Sequence, residues 1–203
     1  MKDLKKARKH LIKSDRDLAR FVKKAELRPR KRHRDSPYIR LASAIVSQQI
    51  STAAARSIWA KFKALFNNEK IDFAQLAEFS DAQLRSAGIS PQKMGYLRDL
   101  ANRVNRGEVP NPKALARMTD DEIVEKLIVI KGVGRWTIQM LLIFHYWRPD
   151  VWPVLDLGVK KGYMRIHGLK KLPDEKKLEK LGEKFKPFRS YAALYYWHSL
   201  DNS

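Results

Sequence analysis

Apolar residues along this chain recur at the three- and four-residue spacing of helices, and no succession of alternating runs suggests a sheet. In YIRLASAIVSQQI, which follows Pro37, the positions Ile39, Leu41, Ile45 and Val46 recur at helical spacing. Ser51 is an N-cap for TAAARSIWAKFKALF, where Ile58, Phe62, Leu65 and Phe66 share a face. Ser80 opens a short helix that Gly88 ends, and Ser90 with Pro91 opens another that stops before Gly107. Thr119 and Glu122 form a capping box that launches DEIVEKLIVI. Pro187 parts two further helices, PDEKKLEKLGEKF and FRSYAALYYWHSL. The pattern predicts an all-α fold of about nine or ten helices. As an expectation about packing rather than a product of the pattern, residues 37–142 form a central lobe ending in a helix–turn–helix near 120–145, and residues 1–36 with 143–203 a second lobe.

Composition narrows the class. The 203 residues are 44% hydrophobic, enough for a real core. No stretch nears the ~18 uninterrupted apolar residues of a membrane span. The segment MKDLKKARKHLIKSDRDLARF carries charge throughout and has no signal-peptide core, so the expectation is a cytoplasmic (nucleoid) or nuclear protein, not a secreted one. Without cysteine there is no disulfide, thiolate nucleophile, zinc finger or iron–sulfur cluster. The isolated histidines offer no paired metal motif. Forty-two Lys and Arg against 22 Asp and Glu give a net charge of +20, which points to a nucleic-acid partner. Charge does not separate DNA from RNA, or a binder from an enzyme.

The stretch IVIKGVGRWTIQMLLIF, Ile128–Phe144, sets two glycines inside an apolar run. Such a turn can hold a dinucleotide pyrophosphate, hold a nucleic-acid phosphate, or turn a corner. The dinucleotide reading makes LIVI a strand and Asp150 a ribose ligand. Thr137 in place of a third glycine, the upstream capping box and the lack of further βαβ units weigh against it. As a helix–turn–helix, Gly132 and Gly134 would take positive φ, and the N–H groups opening the second helix would form an anion site beside Lys131 and Arg135. A purely structural corner is the competing reading.

IKGVGRWTIQML resembles the helix-hairpin-helix of the HhH-GPD superfamily of DNA repair glycosylases. AIVSQQISTAAARSIW, LRSAGISPQKMGYLRDLA and FRSYAALYYWHSL resemble further segments of its 3-methyladenine DNA glycosylase II branch, in a compact form without an N-terminal β domain. The resemblance implies two helical lobes with a cleft that receives a flipped nucleotide, and hydrolysis of the bond from damaged base to deoxyribose. It implies DNA contacts from the hairpin, including Thr137, and from Gln49, which stands where the prototype has an intercalating leucine. Asp156 matches the essential aspartate, placed to stabilise an oxocarbenium-like sugar; by pattern alone it is a helix N-cap.

Trp136 and Trp197 match aromatic positions of the base pocket; Gln48 and Met140 match two more pocket positions. Trp136 also stands where bifunctional relatives carry a Schiff-base lysine, which implies no AP-lyase activity. Family hairpins hold Na⁺ or K⁺ through backbone carbonyls, here those of Ile128, Ile130 and Val133; no other cofactor is required. Lys160 and Lys161 are expected at solvent or phosphate. The expected substrate is double-stranded DNA with alkylated purines of the 3-methyladenine and 7-methylguanine type; etheno-adducts, hypoxanthine and bulkier lesions stay open. A monomer is expected. The alternatives are a non-catalytic helix-hairpin-helix DNA-binding module and a basic RNA binder.

Overall fold

The structure, a computed structural model, describes residues 3–27 and 35–201. Thirteen α-helices occur among the described residues, with 3-10 turns at Asn67–Glu69 and Glu183–Phe185 and no strand. The all-α class expected from periodicity is the class observed. The helix count is higher than expected; two of the additional helices, α5 (Phe73–Glu78) and α8 (Pro112–Leu115), have six and four residues, too few for periodicity to register. Capping chemistry placed the starts well: Ser51, Ser80, Ser90 and Thr119 each accept a backbone N–H of the following helix, and Ser80 and Thr119 form full capping boxes with Gln83 and Glu122. No described helix is long and apolar enough to cross a membrane.

Backbone contacts divide the chain into two compact units, Met1–Arg32 with Leu142–Ser203, and His33–Leu141. In the first, α1 (Leu4–Ser14) and α2 (Arg16–Lys24) bring Ala7, Leu11, Leu18 and Val22 onto Tyr163, Phe185, Tyr195 and Tyr196. Those aromatics come from α11 (Leu157–Ile166), α13 (Arg189–Asp201) and the 3-10 turn at Glu183–Phe185. Asp150, which the dinucleotide reading would have made a ribose ligand, anchors the start of α13. Its Oδ1 accepts the Arg189 N–H at 3.1 Å and Nε–H at 2.9 Å, and its Oδ2 accepts Nη2 at 3.0 Å.

In the second unit, α7 (Pro91–Asn105) packs on α3 (Pro37–Ser47), α5 and α6 (Asp81–Ser86). Leu41, Ile45, Leu76, Leu84, Met94 and Leu97 are among its fully buried apolar side chains, and Phe62 of α4 (Thr52–Ala64) joins them in the core. At about 25 cal/mol per Å² of apolar area removed from water, such burial is the main stabilising contribution.

The first unit also buries a titratable cluster. Asp15 caps α2 through Leu18 N–H at 2.8 Å and meets the Lys184 ammonium at 2.5 Å. His167 stacks on Tyr163 with centroids 4.0 Å apart and lies 3.2 Å from the Tyr196 hydroxyl, with Asp15 at 3.9 Å and Asp17 at 3.7 Å. Burial pushes the His167 pKa below 6.5, against the pull of the two carboxylates. Protonation therefore favours the unfolded chain: the stability is fully present above pH 6.5 and is lost as pH falls through the depressed folded value. Melting temperature should fall between about pH 7 and about pH 5, and His167→Gln should flatten that slope. An identical slope in the variant would show that His167 is not the group responsible.

Candidate active site

In the first unit the chain turns tightly through Pro153, with Asp156 N–H donating to its carbonyl at 3.0 Å, and delivers Asp156 as the N-cap of α11. A carboxylate only 8% exposed is costly unless donors converge on it. Asp156 Oδ1 accepts the Val159 N–H at 2.7 Å and the Trp197 indole N–H at 2.8 Å. The Trp197 ring stacks on Phe144 with centroids 5.4 Å apart. Leu155 and Leu157, on either side of the buried carboxylate, are exposed.

Two glycines on α11 permit this approach. A Cβ on Gly158 would lie 2.7 Å from Trp197 Cδ1 and 3.0 Å from Asp156 Oδ1. One on Gly162 would lie 2.3 Å from the Tyr196 carbonyl oxygen. Spaced one turn apart on one face, they let α13 lie directly against the α11 backbone, with Trp197 against the carboxylate. Phe144 and this glycine pair were missed in the sequence; the four-residue spacing LGVKKG was the available signal.

In the second unit, α9 (Asp120–Leu127) stops three residues earlier than the apolar run DEIVEKLIVI suggests. Ile128 and Val129 are exposed in the turn, and Val133 N–H closes on the Ile130 carbonyl at 3.0 Å. α10 (Arg135–Phe144) follows. Of the two glycines expected at positive φ, only Gly132 adopts it, at +78°. Its φ leaves no room for a side chain either, since a Cβ would sit 2.2 Å from the Tyr96 ring. Gly134 keeps an ordinary φ, and a Cβ there would meet nothing within 4 Å. The turn therefore does not require a glycine at position 134.

Side chains around this turn are sorted by burial. Lys131, Arg135 and Trp136 are exposed, and Met140 lies one turn beyond Trp136 on α10. Thr137 is buried, 5% exposed. Gln48 Nε2 donates to the Gly132 carbonyl at 2.8 Å, which makes this side chain a brace for the hairpin. Gln49 is exposed, with φ +57°. In the first unit, Lys160 faces Glu175 at 3.7 Å and is largely covered, whereas Lys161 is exposed. The one group of three acidic or histidine side chains at metal-ligand spacing among the described residues is Asp15, Asp17 and His167, where the Lys184 ammonium already occupies Asp15.

The family model for the HhH-GPD superfamily base excision DNA repair protein matches residues 42–187, and the chain belongs to that family. DNA-3-methyladenine glycosylase 1 of Schizosaccharomyces pombe is 36% identical over 197 residues, covering 96% of this chain and 86% of its own. The solved structure of the Schizosaccharomyces pombe 3-methyladenine DNA glycosylase in complex with abasic DNA superposes with a TM-score of 0.87 at 35% identity, over 95% of each chain. A DNA-3-methyladenine glycosidase from Bacillus halodurans superposes with a TM-score of 0.82 at 32% identity, over 94% of this chain and 87% of its own. The family expected from the glycine hairpin is thus the family found.

Trp197→Phe keeps a stacking ring but removes the donor to Asp156. A hydrogen bond to a buried charged group contributes about 1.5–3 kcal/mol, so melting temperature should fall by several degrees and base release should slow roughly 10- to 100-fold. Wild-type kinetics in that variant would mean the indole N–H does nothing for the carboxylate. Gly132→Ala forces a Cβ into the Tyr96 ring and a left-handed φ on an L residue, which alone costs about 1–2 kcal/mol. A lower melting temperature and weaker duplex binding by titration are expected; wild-type values for both would refute the strict glycine requirement.

Proposed function

We propose that the chain is a monofunctional DNA glycosylase that removes alkylated purines from duplex DNA by base flipping and leaves an abasic site. The observation that carries this reading is Asp156: a buried carboxylate gripped by an indole N–H and a backbone N–H at the start of α11, in a chain of this repair family. The relatives are 3-methyladenine DNA glycosylases, and their activity supplies the substrate class.

As the bond from C1′ to the base nitrogen breaks, the electron pair leaves with the base and positive charge builds on the sugar. A fixed carboxylate beside the sugar stabilises that charge more than it stabilises the uncharged sugar of the ground state, which is what lowers a barrier. Water adds its oxygen to C1′ and gives up a proton. Purines methylated at N3 or N7 are cationic and depart neutral, so they leave more readily than intact bases. Indole faces add attraction for such a cation, about 0.5–2 kcal/mol per contact, and Trp136 and Trp197 are assigned this role.

Duplex binding is assigned to the exposed backbone at Gly134 and the flanking Lys131 and Arg135, an anion site at a helix start. Lys161 adds to the basic surface, while the pairing of Lys160 with Glu175 argues for a lesser contribution. The three carbonyls of Ile128, Ile130 and Val133 are neutral donors suited to Na⁺ or K⁺; Ile130 O already accepts one N–H and keeps a second lone pair. Such an ion would brace the turn. Trp136, in place of an amine, supports release without strand cleavage. The chain is proposed to act as a monomer on chromosomal DNA.

In methylated duplex DNA, the wild type should generate alkali-labile sites, and Asp156→Asn should lower their rate of formation by roughly a hundredfold or more while duplex affinity persists. Borohydride should trap no covalent adduct. Equal release by Asp156→Asn would overturn the assignment of the carboxylate, and release by neither protein would favour a DNA-binding module without activity.

A further inference from the structure

α7 carries Lys93, Tyr96 and Asp99 at three-residue spacing, and each meets a backbone segment of the same unit. Asp99 Oδ2 accepts the Lys131 N–H at 2.9 Å, and the Tyr96 ring lies against Gly132. Lys93 Nζ donates to the carbonyls of Val46 at 2.7 Å and Gln48 at 2.8 Å. Those carbonyls lie where α3 ends and its orphan acceptors gather negative potential. Burial lowers the Lys93 pKa, as expected of an ammonium partly withdrawn from water.

The residue after this clamp is Gln49, exposed and left-handed at φ +57°, a conformation L residues avoid. A strained, exposed side chain persists only where its surroundings hold it. Here the carbonyl before it is held by Lys93, and the Gln48 side chain is tied to the Gly132 carbonyl at 2.8 Å. One face of α7 therefore supports both the turn that presents Gln49 and the glycine hairpin.

We propose that Lys93 is a positioning residue. Its ammonium fixes the end of α3 so that Gln49 projects in register with the hairpin, as the side chain that fills the gap left by an extruded nucleotide. This rests on the glycosylase reading above. A lysine that merely capped α3 would affect stability without acting through Gln49.

Single-turnover excision from a duplex carrying one 7-methylguanine separates the two roles, with wild type, Lys93→Met, Lys93→Arg, Gln49→Gly and the Lys93→Met/Gln49→Gly double variant compared. Lys93→Met should slow excision about tenfold or more, the scale of a misplaced positioning group, and Lys93→Arg should recover most of it. Glycine suits the left-handed backbone, so Gln49→Gly should keep the turn but lose the plug. The double variant should be no slower than the slower single variant, within about twofold, because both changes act on one element. If Lys93→Met does not fold, Lys93→Gln carries the same cycle with a neutral donor. Losses that multiply in the double variant, or a wild-type rate in Lys93→Met, would overturn the Lys93 role while leaving the glycosylase reading intact. No release by wild type from this or any other alkylated duplex would sink both.

Discussion

The indole N–H of Trp197, 2.8 Å from Asp156 Oδ1, is the contact on which the buried carboxylate of the first unit depends. A buried carboxylate must be met by donors, and the helix start supplies the Val159 N–H to this oxygen. The second donor reaches it because α13 lies against α11 at backbone distance, which in turn requires glycine at positions 158 and 162. A side chain at either would push α13 outward and withdraw the indole. Packing, hydrogen bonding and the placement of a buried charge are thus one constraint, and the Arg189–Asp150 pairing at the head of α13 serves it by fixing where that helix begins.

The second unit meets a different demand, that of presenting backbone rather than burying charge. Gly132 makes the turn, Gly134 lies exposed before α10, and α7 holds the assembly from behind through Tyr96 and Asp99. Polar ties across this unit run from side chains to carbonyls and N–H groups, as with Gln48 on Gly132 and Lys93 on Val46 and Gln48. Side chains anchoring backbone make a rigid surface without consuming the exposed cations Lys131 and Arg135. The contrast between the two glycines shows that identical residues in one motif need not meet one constraint.

Much of the fold was legible in the sequence because it is written locally. Helix starts follow from Ser and Thr caps that bind N–H groups two or three residues on, and the all-α class follows from apolar spacing. The end of α9 was misjudged because apolar character continued through Ile128 and Val129, which the structure leaves exposed. Thr137 resembled a hairpin contact by position, yet its side chain is buried. Hydrophobicity at one residue does not say which side of a turn it will occupy.

By itself the sequence determined the helical class, the capping grammar, the basic charge, the glycine hairpin as a motif and Asp156 as a helix cap. Those are properties of neighbouring residues, and neighbours in sequence are neighbours in space. The tertiary structure alone decided that Trp197, 41 residues away, would hydrogen-bond that cap. It also decided that Lys93, 45 residues from Gln48, would clamp the turn before Gln49. Such pairings depend on how helices approach one another, and that is set by shape across the packed core rather than by any local pattern.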